Sequence, residues 1–382
     1  MKKIVLISCL FAASSLCSFA ETIDANGATL NYTADAEYKA TITGATALPD
    51  DGILIIPDTF RVGETKYTVV AIGVSAFNGT TALKAVAIPT FVTNIGENAF
   101  AGCSHLEWVV VRNTDPKNNV TIGASAFPDF TSGSTLLYLH DQYWGAVKQN
   151  TSGAVIGLDD FGGWLDYFAD ANIHPYAAVN PDPKNQDAFY GTIYFATYAF
   201  TVAWPEGVQA YTATAEGNSL NMNAIPRVSE TLTIPADNGV VLRRERANEE
   251  DNISFILLTP TQKSESEHMA GNVFRGYENN NVTVLDPSYV LYGNKNHGVG
   301  FYQFGGAKYQ AFRAFYHPVS ANNAPARFSL NFNHAGQTTG VENVSSNSDG
   351  SQKMIRNGHL IILRDGREYN AQGQLQQEGR GL

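Results

Sequence analysis

Three groups of side chains are of the types that perform chemistry. Cys103 stands two residues before His105, and a thiol beside an imidazole is the elementary nucleophile–base pair. Asp159 and Asp160 offer adjacent carboxylates, the groups that glycoside hydrolysis uses in pairs. Asn180, Asp182, Asn185 and Asp187 gather oxygens of the kind Ca²⁺ takes. Each group also has a simpler account. Cys103 occupies a small-residue position of an internal repeat, which explains it as a buried small hydrophobe. The carboxylates of a glycosidase are defined by their separation in space, which a sequence does not show. The 180–187 stretch lacks the DxDxDG order and the closing glutamate of a calcium loop, and its two prolines suit a linker. The eight histidines have no metal-ligand spacing, and there is no HExxH, GxSxG, phosphate loop or GxGxxG fingerprint. The expectation is a chain that is not an enzyme, with no catalytic residue, metal or cofactor.

The elements that carry these residues repeat. IGVSAFNGTTALKAVAIP begins at Ile72, IGENAFAGCSHLEWVVVR at Ile95, and IGASAFPDFTSGSTLLYL at Ile122. A period in the twenties predicts a solenoid, which presents an extended surface. Ile72/Ile95/Ile122, Phe77/Phe100/Phe127 and Leu83/Leu106 recur in register and are predicted to stack between coils, with Phe100 at the centre of a spine. Gly73, Gly96 and Gly123 follow the leading isoleucine, where a tight corner is expected to need positive φ. Ala85 to Ile88 and Trp108 to Val111 read as strands, one per coil, forming a parallel sheet.

The pattern IGxxAFxGCxxLxxVxIPxxVxxIG resembles the leucine-rich repeats of the BspA-like family of bacterial surface proteins. The resemblance covers about residues 22–174. It takes in a first coil at Ile53 to Pro57 and Gly63 to Gly73, and a last coil and short capping helix at Thr135 to Leu139, Tyr143, Trp164 to Phe168 and Ile173. Thr80-Thr81 in place of a Gly-Cys pair, and an insertion at Asp115 to Asn119, depart from the pattern. The resemblance implies a surface-exposed protein that adheres to host or bacterial partners.

Strand alternation then places a candidate binding face. Ile53 and Ile55, Ala85 and Ala87, Trp108 and Val110, and Leu136 and Tyr138 are predicted to point outward from the sheet, with Arg112 and His140 at its rim. An outward row that is apolar and carries Trp and Tyr is the composition of an interaction site. The binding residues assigned are Trp108, Val110, Tyr138, Arg112 and His140. Two other readings stay open: the second module packs over the row, or the register is off by one and the row faces inward.

Residues 1–20 read as a secretion signal. Lys2-Lys3 is the charged start, Ile4 to Leu16 is apolar but too short to span a membrane, and Ser18-Phe19-Ala20 supplies the cleavage point. A lipid-bearing Cys17 is the weaker alternative, since Leu16 stands where a small residue is expected. Cys9 and Cys17 leave with the signal, so the mature chain keeps Cys103 alone and forms no internal disulfide. The net charge of −11 becomes −13 once Lys2 and Lys3 are lost, which argues against nucleic acid and anionic membrane as partners.

The remaining chain reads as a 175–187 linker, a β module over 188–335, a flexible linker over 336–352 and a tail over 353–382. The module's short strands and turns suit an antiparallel sandwich. Its aromatics, Tyr289 to Tyr316, are expected mainly in its core, with a glycan platform as the alternative. Arg243-Arg244-Glu245-Arg246 reads as a solvated strand end. The tail, with Asp365-Gly366 at a turn, reads as a hairpin. It is similar to the C-terminal segments that end many secreted proteins of Gram-negative anaerobes, which resemble type IX secretion sorting domains. It is shorter than those domains, and a terminal hairpin with no sorting role is the competing reading.

The predicted architecture is therefore mainly β: signal peptide 1–20, a leucine-rich-repeat solenoid over 21–174, an antiparallel β-sandwich and a C-terminal hairpin. The function expected is adhesion or protein–protein interaction at the outward solenoid face, by a protein secreted or held on the outer surface of a Gram-negative bacterium. A glycan-binding accessory protein using the sandwich aromatics and a polysaccharide hydrolase are the alternatives. The partner expected is a surface protein or a glycan, without membrane insertion.

Overall fold

The structure is a computed structural model. It describes residues 21–332 except 114–118, 132, 142–163, 165–166, 169–171, 197, 205–206, 248–250, 252, 262–267, 278–281, 311–312 and 319–324, together with the backbone of four strands between residues 352 and 378. The expected signal peptide, Asp159-Asp160 and all but the last residue of the 336–352 linker lie outside the described residues. The chain forms two compact units, Met1–Asn333 and His334–Leu382, and is mainly β.

Each coil of the repeat supplies a strand to both sides. Thr65–Ile72, Asn94–Ile95 and Thr121–Ile122 pair in parallel on one side. Ile53–Ile55, Ala85–Ile88, Trp108–Val111 and Leu136–His140 pair in parallel on the other. Between them the Phe77, Phe100 and Phe127 rings stack at centroid distances of 5.2 and 5.0 Å, each pair 10° from parallel, as the spacing predicts. Trp164, Tyr167 and Phe168 close the far end against Phe127. At the near end a hairpin and a third strand, Glu21–Ala25, Ala28–Ala34 and Lys39–Ala47, extend the first sheet.

The corner glycines have a different role from the one expected. The left-handed residue of each corner is Ser75, Asn98 or Ser125, with φ of 54, 54 and 53°. Gly96 and Gly123 are required by the approach of the preceding coil. A Cβ on Gly96 would lie 2.5 Å from the Val74 nitrogen, and one on Gly123 2.4 Å from the Glu97 nitrogen. The same residues tie the coils together, for the Gly96 N–H donates to Ile72 O and the Gly123 N–H to Ile95 O.

The expected 175–187 linker is not a linker. Ile173–Ala178 is a strand that pairs in parallel with Leu136–His140 and antiparallel with Phe255–Thr261. Ala199–Trp204 and Thr233–Ile234 follow, so the solenoid sheet continues without a break into an eight-stranded sheet. Short apolar strands ending in Pro or polar residues look alike whether they start a domain or extend a sheet. That decision belongs to the partner strand, which lies about 80 residues away in this case.

The second region is likewise not a self-contained antiparallel sandwich. Its remaining strands form a ten-stranded sheet that includes one parallel pair, Ser219–Ala224 with Arg327–Phe332. Phe189, Ile193, Val240 and Leu242 of that sheet share one continuous core with Ile256 and Leu258 of the eight-stranded sheet and with Val109, Val111, Leu137 and Leu139 of the solenoid. Most of the C-terminal aromatics are core as expected, with Tyr289, Phe301, Tyr309, Phe315 and Tyr316 buried.

The second unit is a four-stranded antiparallel sheet, Gln352–Arg356, His359–Arg364, Arg367–Tyr369 and Leu375–Glu378, larger than the hairpin expected. The register pairs Arg364 with Arg367 on either side of Asp365-Gly366.

Candidate interaction surfaces

The register predicted for the solenoid sheet holds: Val109 and Val111 face the core, while Trp108 and Val110 lie on the opposite face. That face is not free. Val110 and Tyr138 are buried together with Ile55, Ala87, Tyr176, Phe255 and Leu257 in a second apolar cluster. Trp108 is half-buried, its ring 5.4 Å from that of Trp204, and Trp204 lies 5.6 Å from Phe255. Burial pushes the Tyr138 hydroxyl up to about 12, against a hydrogen bond with Thr259 that acts the other way. Val110 and Tyr138, assigned as partner-binding residues, are therefore core residues of this chain. The row was apolar because the strands after residue 173 extend the same sheet and cover it with their own side chains.

The two rim residues are also engaged, side by side at the same ends of two neighbouring parallel strands. Arg112 is buried, with its guanidinium 2.9 Å from both Asp58 Oδ1 and Ile56 O. It floors a cleft of about 820 Å³ whose walls include Asp24, Asn26, Asp58 and Phe60. His140 lies 2.9 Å from Asp141, whose carboxylate also accepts from Arg313. Burial raises Asp141, and the charges of Arg313 and then His140 outweigh it and hold the carboxyl below its ordinary range. His140 and Arg313 border a second cleft, of about 670 Å³.

The edge of the eight-stranded sheet at Ile53–Ile55 is blunted. The Ile53 N–H donates to Asp51 Oδ1, and Asn26 Nδ2 donates to Ile55 O, so two outward backbone groups are already satisfied. Beside it an aromatic surface runs out of the Arg112 cleft. Phe60 stacks on Tyr67 at 5.2 Å and 9°, and Tyr67 meets Tyr38 edge-on at 5.7 Å. Tyr38 is 53 % exposed and Val62 43 %. These residues were missed in the sequence. The signal was present in TFRVGETKYTVV, whose two short strands set Phe60 opposite Tyr67.

The reactive candidates stay silent. The Cys103 thiol is buried, bonded to Phe77 O at 3.1 Å and pushed up to about 11 by burial, while the exposed His105 ring contacts Thr81 O. Among the described residues no His, Cys, Asp and Glu group could hold a metal ion. Asp182 is buried and accepts from the Lys184 N–H. The basic run is not a solvated strand end, since Arg244 is buried in a two-point pair with Asp251 and stacks over Phe189.

Residues 63–138 match the family model described as BspA type Leucine rich repeat region (6 copies). That stretch is thus a leucine-rich repeat region of BspA type. No curated protein matches the chain. Among solved structures, a leucine-rich repeat protein from Bacteroides capillosus ATCC 29799 is 24 % identical over 31 % of this chain and 80 % of its own, with a TM-score of 0.25. A leucine rich cell surface protein from Faecalibacterium prausnitzii A2-165 is 30 % identical over 31 % of this chain and 30 % of its own, with a TM-score of 0.26. The pneumococcal vaccine antigen PcpA is 19 % identical over 32 % of this chain and 38 % of its own, with a TM-score of 0.20.

Proposed function

We propose that this chain works by binding, as a secreted or surface-held protein that carries a protein partner on the N-terminal side of its repeat region. The observation that supports this is the connected surface Tyr38–Tyr67–Phe60, which leads into the cleft floored by Arg112 and walled by Asp24 and Asp58. An exposed tyrosine, here Tyr38 backed by the half-buried Tyr67 and Phe60, beside a concave polar site is a usual anchor of a protein interface. Stacked repeats supply the stiffness, because each coil is held by its neighbours through the phenylalanine spine. Secretion rests on the 1–20 segment, and mass spectrometry of the exported protein is expected to give Glu21 as the first residue.

Retention of beads carrying the mature chain on surfaces coated with host extracellular-matrix proteins or bacterial envelope proteins tests the proposal. Tyr38→Ala with Phe60→Ala is expected to lower retention about tenfold or more, as for paired hot-spot residues. Undiminished retention by a variant that melts like the parent contradicts the proposed surface. A lipid-bearing N-terminus at Cys17 contradicts simple secretion.

A further inference from the structure

The 670 Å³ cleft shares no lining residue with that surface. It is assembled from the end of the solenoid sheet (His140), the Asn180–Pro181 strand, the Ala188–Ile193 strand and the Tyr289–Asn294 strand. Its volume falls in the range of small-ligand sites. Gln310 and Arg313 form another wall, and the same two residues open onto an adjoining apolar recess of about 270 Å³.

The polar equipment of the cleft has a definite chemistry. Arg313 is held in place, donating to the Asp141 carboxylate and to Thr192 O, with its other terminal nitrogen 3.3 Å from His140 Nε2. Its positive charge is therefore balanced inside the protein by a fully buried carboxylate. What the cleft presents is a set of donors and acceptors with little net charge, chiefly the amides of Asn180 and Gln310. Beside them stands Tyr292, 61 % exposed, whose ring is fixed edge-on to Tyr302 at 5.7 Å and 87°. Amides that both donate and accept, next to an open aromatic face, match a ring of hydroxyl groups with an apolar C–H side. A protein of net charge −11 adds a further bias against anions.

We infer that this cleft is a binding site for a neutral sugar ring, stacked on Tyr292 and hydrogen-bonded by Asn180 and Gln310. Of the C-terminal aromatics it uses Tyr292, one that the core leaves outside. The site is separate from the Tyr38 surface and stands or falls independently of it.

Saturation-transfer NMR on the mature full chain tests the inference. The probes are the methyl glycosides of glucose, galactose and mannose, with N-acetylneuraminic acid as the anionic comparison. At least one neutral probe is expected to receive magnetisation. Tyr292→Ala and Gln310→Ala are each expected to weaken it about tenfold or more, 1.4 kcal/mol, and Tyr38→Ala to leave it unchanged. Tyr292 and Gln310 are exposed, so melting temperatures close to the parent's are expected for both variants. Transfer to none of the neutral probes, transfer that survives both substitutions, or tighter binding of the anionic sugar overturns the assignment.

Discussion

The ring of Trp108 lies 5.4 Å from the ring of Trp204, although their strands are separated in the sheet by three others. Four strand spacings of about 4.8 Å would hold the two backbones about 19 Å apart on a flat sheet. The sheet therefore curls toward this face, and the two indoles lean across the trough. The contact joins the repeat region to the strands that follow it. Trp204→Ala is expected to destabilise the first unit by about 2–4 kcal/mol, toward the low end for a large aromatic because the ring is half-buried. Calorimetry measures this, and increased binding of an anilinonaphthalene dye would report the uncovered face. An unchanged melting curve would show that the trough is closed without Trp204.

Phe100 lies between two parallel rings and is fully buried. Phe100→Ala should cost about 3–5 kcal/mol, while Phe100→Leu keeps most of the volume and should cost less. Denaturant midpoints at constant slope decide it.

Two nearby positions of one corner, Gly96 and Asn98, should respond differently. Gly96→Ala brings a methyl to 2.5 Å from the Val74 nitrogen, backbone that cannot step aside, so a loss of about 2 kcal/mol or more is expected. Asn98→Gly relieves a left-handed residue, and the change should lie within about 1 kcal/mol of neutral. If Gly96→Ala is silent and Asn98→Gly severe, the assignment of roles at the corner is reversed.

Acid should unfold the first unit in part through two buried carboxylates. Burial alone would raise Asp141 and Asp251, but Arg313 with His140, and Arg244 with the Ala247 and Ile253 N–H groups, hold both below the ordinary range. A carboxyl depressed on folding adds stability that is complete above its unfolded value, about 3.9, and disappears as pH falls through the folded one. The melting temperature should drop steeply below about pH 4 on this account. Asp251→Asn should be less stable at neutral pH, by about 3–5 kcal/mol, because Arg244 is left buried and unpaired. It should also lose less than the parent on acidification. An acid-side slope equal to the parent's would remove Asp251 from the account.

Much of the repeat was legible because its signal is local and recurs. Ile72, Phe77 and Leu83 return at a near-constant interval, and a recurring buried position can be read without knowing what lies across from it. The alternation in Trp108–Val111 was read correctly for the same reason. The corner glycine was misread because positive φ and close approach both favour glycine, and only the position of the preceding coil separates them.

The sequence by itself determined that one face of the Trp108 strand is core and that the other face is apolar. It did not determine what covers the second face. Periodicity reports whether a side chain leaves water, and burial inside the chain and burial under a partner leave the same pattern of residues. The pairing of Ile173–Ala178 with Phe255–Thr261 decided the matter, by carrying Tyr176, Leu257 and Trp204 onto that face. The same pairing helped assemble the cleft around Arg313. Its walls come from strands far apart in the chain, and their meeting is set by packing in space rather than by any spacing between residues.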